Sequence, residues 1–367
     1  MTVNVGRTLV ICTIASTCLV AGLLVIGRPF AETTMCDQKL SIAGLEVRFD
    51  AELLHLEASG VTDEELARVQ PLSTLAYIDL SSTLVSDDGL RHLSSLTKLQ
   101  EIRLDHTAVS GDGFKYLTEL PALDVMSVLN CPIRDDSLRH LSGIKSLEWV
   151  LLGGTPVTGT GIQHLNGMPR LTVLDLASTQ IGPQDLLRLK NLPRIERLYL
   201  SHTRTGNPAM AHLAGFSALK WLDVSHTDVD GSGLDPLTAL RDLEHLHLGG
   251  LHLGKDGWRH IGEMTRLKCL SLRGAHYRDA DLRWLANLSG LEELDVSDCP
   301  LTDAEVVHLG QLSTLRTLLL EGTVVTDAGL RSLSGLQRIR RLSLAGTSMS
   351  RSLAGSLFPD ADVLGGE

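Results

Sequence analysis

The stretch Leu315-Arg316-Thr317-Leu318-Leu319-Leu320-Glu321-Gly322-Thr323-Val324-Val325-Thr326-Asp327-Ala328-Gly329-Leu330-Arg331-Ser332-Leu333-Ser334-Gly335-Leu336 is the chain in miniature. Equal steps of twenty-four from Leu315 land on Ala51, Leu75, Leu99, Leu123, Leu147, Leu171, Ile195, Leu219, Leu243, Leu267, Leu291 and Ile339, so thirteen units follow one another without an insertion. Numbered within each unit, positions 1, 4, 6, 11, 16, 19 and 22 are apolar in 89 of 91 places, the exceptions being Thr205 and Asp360. Chance cannot do this in a chain that is 43% apolar. The period overrides the two or three separate domains that 367 residues would otherwise suggest.

Each unit reads as one coil of an α/β solenoid. Positions 4 and 6 alternate with polar neighbours, as in a short strand, and positions 16, 19 and 22 recur every three residues, as in a short helix or 3₁₀ segment. Thr62-Asp63-Glu64-Glu65 and Thr302-Asp303-Ala304-Glu305 have capping-box spacing, which starts the helix near position 13. The Asp residues at position 13 (Asp63, Asp87, Asp135, Asp279, Asp303, Asp327) read as caps of that same helix. One coil cannot bury its own apolar face, so stacked neighbours must supply the core. The expectation is a horseshoe of 13 coils, with a parallel sheet on the concave face and short helices on the convex face.

These residues resemble the leucine-rich repeat family, in a variant similar to the T-x-[VI]-T-D-x-G-L repeats of bacterial membrane-linked or exported proteins and of F-box-type ubiquitin-ligase subunits. Thr83, Thr107, Thr155, Thr179, Thr203, Thr227, Thr323 and Thr347 stand where the family has Asn or Cys, and Cys131 and Cys299 keep the Cys form. The resemblance implies a binding face on the concave side.

Outside the repeats, Thr8 to Gly27 is an uninterrupted uncharged run between Arg7 and Arg28, about 30 Å as a helix and enough to cross a bilayer. Residues 1–28 are expected to be a retained transmembrane signal anchor or a cleaved signal peptide. Residues 29–50 then form a linker and N-terminal cap, 51–358 the repeat domain and 359–367 a tail. In this scheme Pro29 to Ser41 is linker, while Leu45, Val47 and Phe49 alternate as a strand shielding the first coil. Loss of the last anchor to Asp360 predicts a frayed C-terminus, or one covered by a partner. Membrane attachment through residues 8–27, or secretion, places the repeats outside the cytoplasm.

The formal charge is −11, and without Arg7 and Arg28 the remaining body carries −13. Such a body repels phosphate backbones, which argues against nucleic acid. Six cysteines without a CxxC give neither a disulfide scaffold nor a zinc site. No phosphate-loop, zinc-protease, nucleophile-elbow or dinucleotide motif is present, so no catalytic residue and no small-molecule cofactor are expected. His92, His140, His164, His212, His260 and His308 share position 18 on the outer side, and His106, His202 and His226 share position 8 after the strand, so these nine read as repeat letters.

Positions 3, 5, 7 and 8 line the concave face. Four aromatics stand there (Tyr77, Trp149, Tyr199 and Trp221) where about two would fall by chance. Two adjacent zones emerge as candidate binding surface. One is apolar: Val125, Leu129, Trp149, Leu151 and Val173. The other mixes aromatic and ionisable groups: Arg197, Tyr199, His202, Trp221, Asp223, His226, His245 and His247, with Asp223 expected to pair across strands with His247. The consensus loosens around this second zone, at Thr205-Gly206-Asn207-Pro208, Leu251 and Ala275-His276-Tyr277. The leading expectation is a non-catalytic scaffold that binds a protein partner on this face. Two alternatives are a ubiquitin-ligase-like recognition subunit and a metal-dependent hydrolase at His245/His247.

Overall fold

A constant repeat length allows each coil to stand in step with the next, and the strands do so. The computed structural model describes residues 39–42, 45–50 and 53–55 as backbone, and residues 60–276 and 282–367 in full. The expected anchor or signal peptide lies outside the described residues. Among the described residues, sixteen strands form one sheet in chain order. Residue i pairs with residue i + 24, as in Trp221 with His245, Leu222 with Leu246 and Asp223 with His247. The coil strands are parallel, three or four residues long, and followed by short α or 3₁₀ segments on the other side.

The seven apolar positions build one continuous core from Val61 to Val363. Thr205, the polar exception, is buried and shares a 2.8 Å hydrogen bond with the Thr203 hydroxyl. Two polar letters of the repeat have backbone reasons. The Thr at position 9 donates its hydroxyl to the position-6 carbonyl of its own coil at 2.6–2.8 Å, all eight times. Cys131 and Cys299 instead reach the preceding coil, donating Sγ–H to Leu104 O and Leu272 O at 3.0 Å.

Both predicted capping boxes are present, on the helices Asp63–Leu66 and Asp303–Val306. The position-13 Asp, however, serves the following coil. Asp63 accepts from Ser86, Asp135 from Thr158, Asp303 from Thr326 and Asp327 from Ser350, at position 12 of the next unit. Asp87 is the fullest case. It accepts from Ser110 N (3.0 Å), Ser110 Oγ (2.6 Å), Gly111 N (3.0 Å) and Gly113 N (2.8 Å). Burial pushes its carboxyl up, but the bonds from Ser110 and Gly113 outweigh that and hold it below the usual range. The same latch explains the glycine two places after the Asp. A Cβ on Gly329 would sit 2.4 Å from Asp303 Oδ1, and one on Gly161 2.3 Å from Asp135 Oδ1. Asn207 keeps the latch in the loosened repeat 7, accepting from Asp230 N and donating to Asp230 Oδ1.

Both ends depart from expectation. The linker assignment fails from Lys39 onward, because Lys39–Ile42 pairs antiparallel with Leu45–Asp50, which pairs antiparallel with Leu53–His55. This hairpin extends the sheet beyond its first coil and confirms the expected strand. At the other end the chain closes its own last coil. The strand Asp362–Gly365 pairs with Arg341–Leu344, matching Leu342 with Val363, so that here residue i stands beside i + 21. The last coil is thus shorter than the rest, and counting by the repeat length steps past this strand. Val363 fills the interior place, and Asp360 turns outward to Arg340 at 3.3 Å.

Asp87→Ala removes four acceptor contacts and strands buried N–H groups of the next coil. It should cost about 2–4 kcal/mol in urea denaturation. Asp112→Ala, which breaks only an exposed contact to Arg134, should leave the midpoint nearly unchanged. Equal effects of the two substitutions would contradict the latch.

Candidate functional site

In-register strands turn every concave position into a ladder, with about 4.8 Å between rungs. Large side chains at that spacing lie against one another. The concave residues Val125, Trp149, Val173, Tyr199 and Trp221 form a second buried cluster, separate from the leucine core, with Leu151 and Ala177 packed on it. Trp149 is 8% exposed, Trp221 5% and Tyr199 4%. The two zones read from the sequence are thus one surface, joined through Tyr199 and Trp221. Leu129 stands apart from this cluster, half-buried over Gly153.

Trp221 is the hub. Its indole stacks on His245 (centroids 4.5 Å) and His247 (4.8 Å) of the next strand, and meets Tyr199 at 6.1 Å with a tilt of 49°. The Arg197 guanidinium lies over the same indole at 5.8 Å. Asp223 is paired in register with His247, yet its Oδ1 accepts from Ser225 N at 2.9 Å. Asp223 thus stands beside His247 as expected and pulls on its imidazole, while its Oδ1 also closes a local turn. Trp221 Nε1, Tyr199 Oη, His245 Nδ1 and His247 Nε2 are buried without a hydrogen-bond partner.

His202 and His226 stack at 4.5 Å, one rung apart, at position 8. All twelve described position-8 residues have φ between 54° and 71°. That left-handed conformation favours Gly, Asn, Asp and His, and it suffices to explain His106, His202 and His226 as repeat letters. At position 18, His260 departs from its companions: it is 4% exposed, on the buried side of the longer helix Gly254–Glu263 to which it belongs. His252 and His276 also stack, at 4.9 Å, beside a cavity of about 690 Å³ lined by the loosened coils 8 to 10.

Electrostatics add a residue that the sequence reading passed over. Asp175 stands in register beside Tyr199. Burial, with Asp223 and Asp105 adding to it, pushes its carboxyl up to about 6 against the lowering effect of the Ala177 N–H. Its place one coil before Tyr199, at the same position of the repeat, is the signal that could have found it. Burial raises the Tyr199 phenol, with Arg197 opposing. Burial, then His247, pushes the His245 imidazole down to about 4. His247 is lowered too, by burial, against the pull of Asp223, Asp295 and Glu293. Burial raises the thiols of Cys269 and Cys299, the latter to about 12, which makes them poor nucleophiles. No group of three or more His, Cys, Asp or Glu among the described residues could hold a metal ion, and the His245/His247 hydrolase reading finds no third ligand there.

Several solved structures share this architecture. An internalin from Listeria monocytogenes is 16% identical, with a TM-score of 0.62 over 85% of this chain and 86% of that one. A leucine-rich-repeat protein of Leptospira interrogans is 16% identical, with a TM-score of 0.52 over 81% and 80%. A TDR receptor is 20% identical, with a TM-score of 0.51 over 77% of this chain and 49% of the receptor. At such identities the likeness shows the fold: the chain is a leucine-rich-repeat solenoid. No protein-family model matches the chain, and no curated protein matches it.

Between about pH 4 and pH 6, folded Asp175 holds a proton that the unfolded chain has released, so this group's contribution to stability falls as pH rises through that window. His245 has the opposite sign: its neutral ring contributes above pH 6.5, and that contribution is lost as pH falls toward 4. Asp175→Asn keeps an acceptor for Ala177 and carries no charge. At pH 7.5 it should be more stable than the parent by about 2–3 kcal/mol, with the gap closing by pH 4. Urea titrations at both pH values check this, and a variant destabilised at pH 7.5 contradicts it.

Proposed function

We propose that the solenoid is a non-catalytic binding scaffold that presents its concave face to a protein partner. The observation that carries this reading is the fused surface around Trp221. It gathers three nearly buried aromatics, Trp149, Tyr199 and Trp221, into one cluster on the concave side of the sheet, apart from the leucine core. Large aromatic rings bury area at little rotamer cost and are the usual anchors of a protein interface, which supports a protein partner on this face. Of the sequence-derived site, Val125, Trp149, Leu151, Val173, Arg197, Tyr199, Trp221, Asp223, His245 and His247 belong to this surface. His202 and His226 lie at its rim, and Leu129 lies outside the aromatic cluster.

We infer further that residues 8–27 anchor the scaffold in a membrane or direct its export, with the repeats outside the cytoplasm. The uncharged run Thr8 to Gly27 supports this. Among the described residues no helix is long and apolar enough to cross a membrane. No feature of the described residues favours a ubiquitin-ligase role.

Ala177→Arg places bulk at the centre of the surface without emptying the core. Crosslinking in the native membrane, followed by mass spectrometry, should recover the partner at least tenfold less from this variant than from the parent chain. Trp149→Ala and Trp221→Ala should act in the same direction, each with a loss of stability of about 3–5 kcal/mol that melting curves register. Unchanged recovery with Ala177→Arg would remove the concave face from the account.

A further inference from the structure

The concave surface specifies the chemistry of what it binds. In coils 6 to 8, Asp175, Tyr199 and Asp223 form one row, with Tyr199 paired in register to a carboxylate on either side. Two strand spacings put the carboxylates about 10 Å apart, with the phenol ring between them. Each Asp uses one oxygen locally, Oδ1 of Asp175 accepting from Ala177 N at 2.8 Å and Oδ1 of Asp223 from Ser225 N at 2.9 Å. The next rung of the row is His247, whose imidazole burial holds below its usual range, and the nearby guanidinium of Arg197 lies over the Trp221 indole beside Tyr199. Over the whole concave face, positions 3, 5, 7 and 8 hold ten Asp or Glu against four Arg. Two of those Arg are engaged inside the chain, Arg103 by Glu101 and Arg273 by Asp298 and Glu321.

A second, independent observation lies one rung away. Trp221 is 5% exposed, and its Nε1–H, which can only donate, has no acceptor. Tyr199 Oη, 4% exposed on the carboxylate row itself, is likewise unpaired. Carboxylates whose neighbouring imidazole is held neutral by burial ask for a cation, whereas an indole N–H without an acceptor asks for an oxygen. A simple cation supplies only the first, and an anion only the second. A polypeptide with basic side chains supplies both, through its side chains and its carbonyls, and a guanidinium also stacks on an aromatic ring.

We propose that this surface binds an extended basic segment of a protein, with an Arg or Lys side chain seated over Tyr199 between Asp175 and Asp223, and a backbone carbonyl accepting from Trp221 Nε1. The proposal rests on the concave-face reading above and adds the charge and form of the ligand.

The test is calorimetric titration of the full chain with the peptide (Arg-Ala)5, with (Glu-Ala)5 and spermine as comparisons. (Arg-Ala)5 should bind, and (Glu-Ala)5 should not. The double variant Asp175→Asn/Asp223→Asn keeps both local turn acceptors and should weaken (Arg-Ala)5 at least tenfold. Asp136→Asn/Asp242→Asn removes the same charge from exposed positions outside the concave row and should weaken it less than threefold. Trp221→Phe, which deletes the donor and keeps a ring, should weaken it about fivefold. Equal losses from the two double variants would overturn the site, leaving only a general attraction to an acidic protein. Spermine binding as tightly as (Arg-Ala)5 would overturn a polypeptide ligand. Binding of (Glu-Ala)5 that Ala177→Arg abolishes would overturn the charge assignment while the concave face stands. Peptide binding indifferent to Ala177→Arg would overturn both. No heat from any peptide at millimolar concentration overturns the proposal.

Discussion

Everything in this molecule follows from residue i standing beside residue i + 24. The leucine ladders enforce that register, because a slip of one residue along any strand would turn its interior side chains onto the concave face. Once the register is fixed, the concave positions lose their independence. A Trp there has its neighbours dictated by the coils before and after it, at a distance where large rings must touch. The buried strip from Val125 to Trp221 is the consequence.

The polar letters of the repeat divide into those the backbone requires and those it does not. Position 8 must adopt positive φ in every described coil, so its Ser, Asn, Asp, Gly and His residues are a conformational choice. Position 13 places an acceptor over the first turn of the next coil, and the glycine at position 15 clears space for it. Positions 3 and 5 carry no such obligation. Their alternating residues (Asp175, Tyr199 and Asp223 in one row, Arg197, Trp221 and His245 in the other) are where the chain is free to encode a ligand.

The core was legible down to single residues, since a constant period with seven apolar places admits one reading. The capping boxes and the N-terminal strand were legible for the same reason: each is a local pattern. What escaped were effects between coils. The reach of Asp87 to Ser110, Gly111 and Gly113 spans a full turn, so local reasoning assigned the carboxylate to its own helix. Asp223 stands beside His247 as expected, but its Oδ1 also accepts from Ser225 N, a local turn that strand pairing does not report. The closing strand Asp362–Gly365 arrives early, where strict counting does not look. Of the candidate site, the alternation placed the aromatics on one face of the sheet. It did not show that these residues bury one another, because alternation reports the direction of a side chain and not what covers it. Asp175 went unnoticed for want of one step back along the ladder from Tyr199.

The most direct measurement of the central claim is site-specific photo-crosslinking in the cells that make the protein. Benzoylphenylalanine at Ser201, on the concave face between Ala177 and Ser225, should yield a defined adduct with the partner. The same group at Asp136, exposed at the start of the convex segment Asp135–Gly143, should yield none. An adduct from Asp136 and not from Ser201 would contradict the assignment of binding to the inner face.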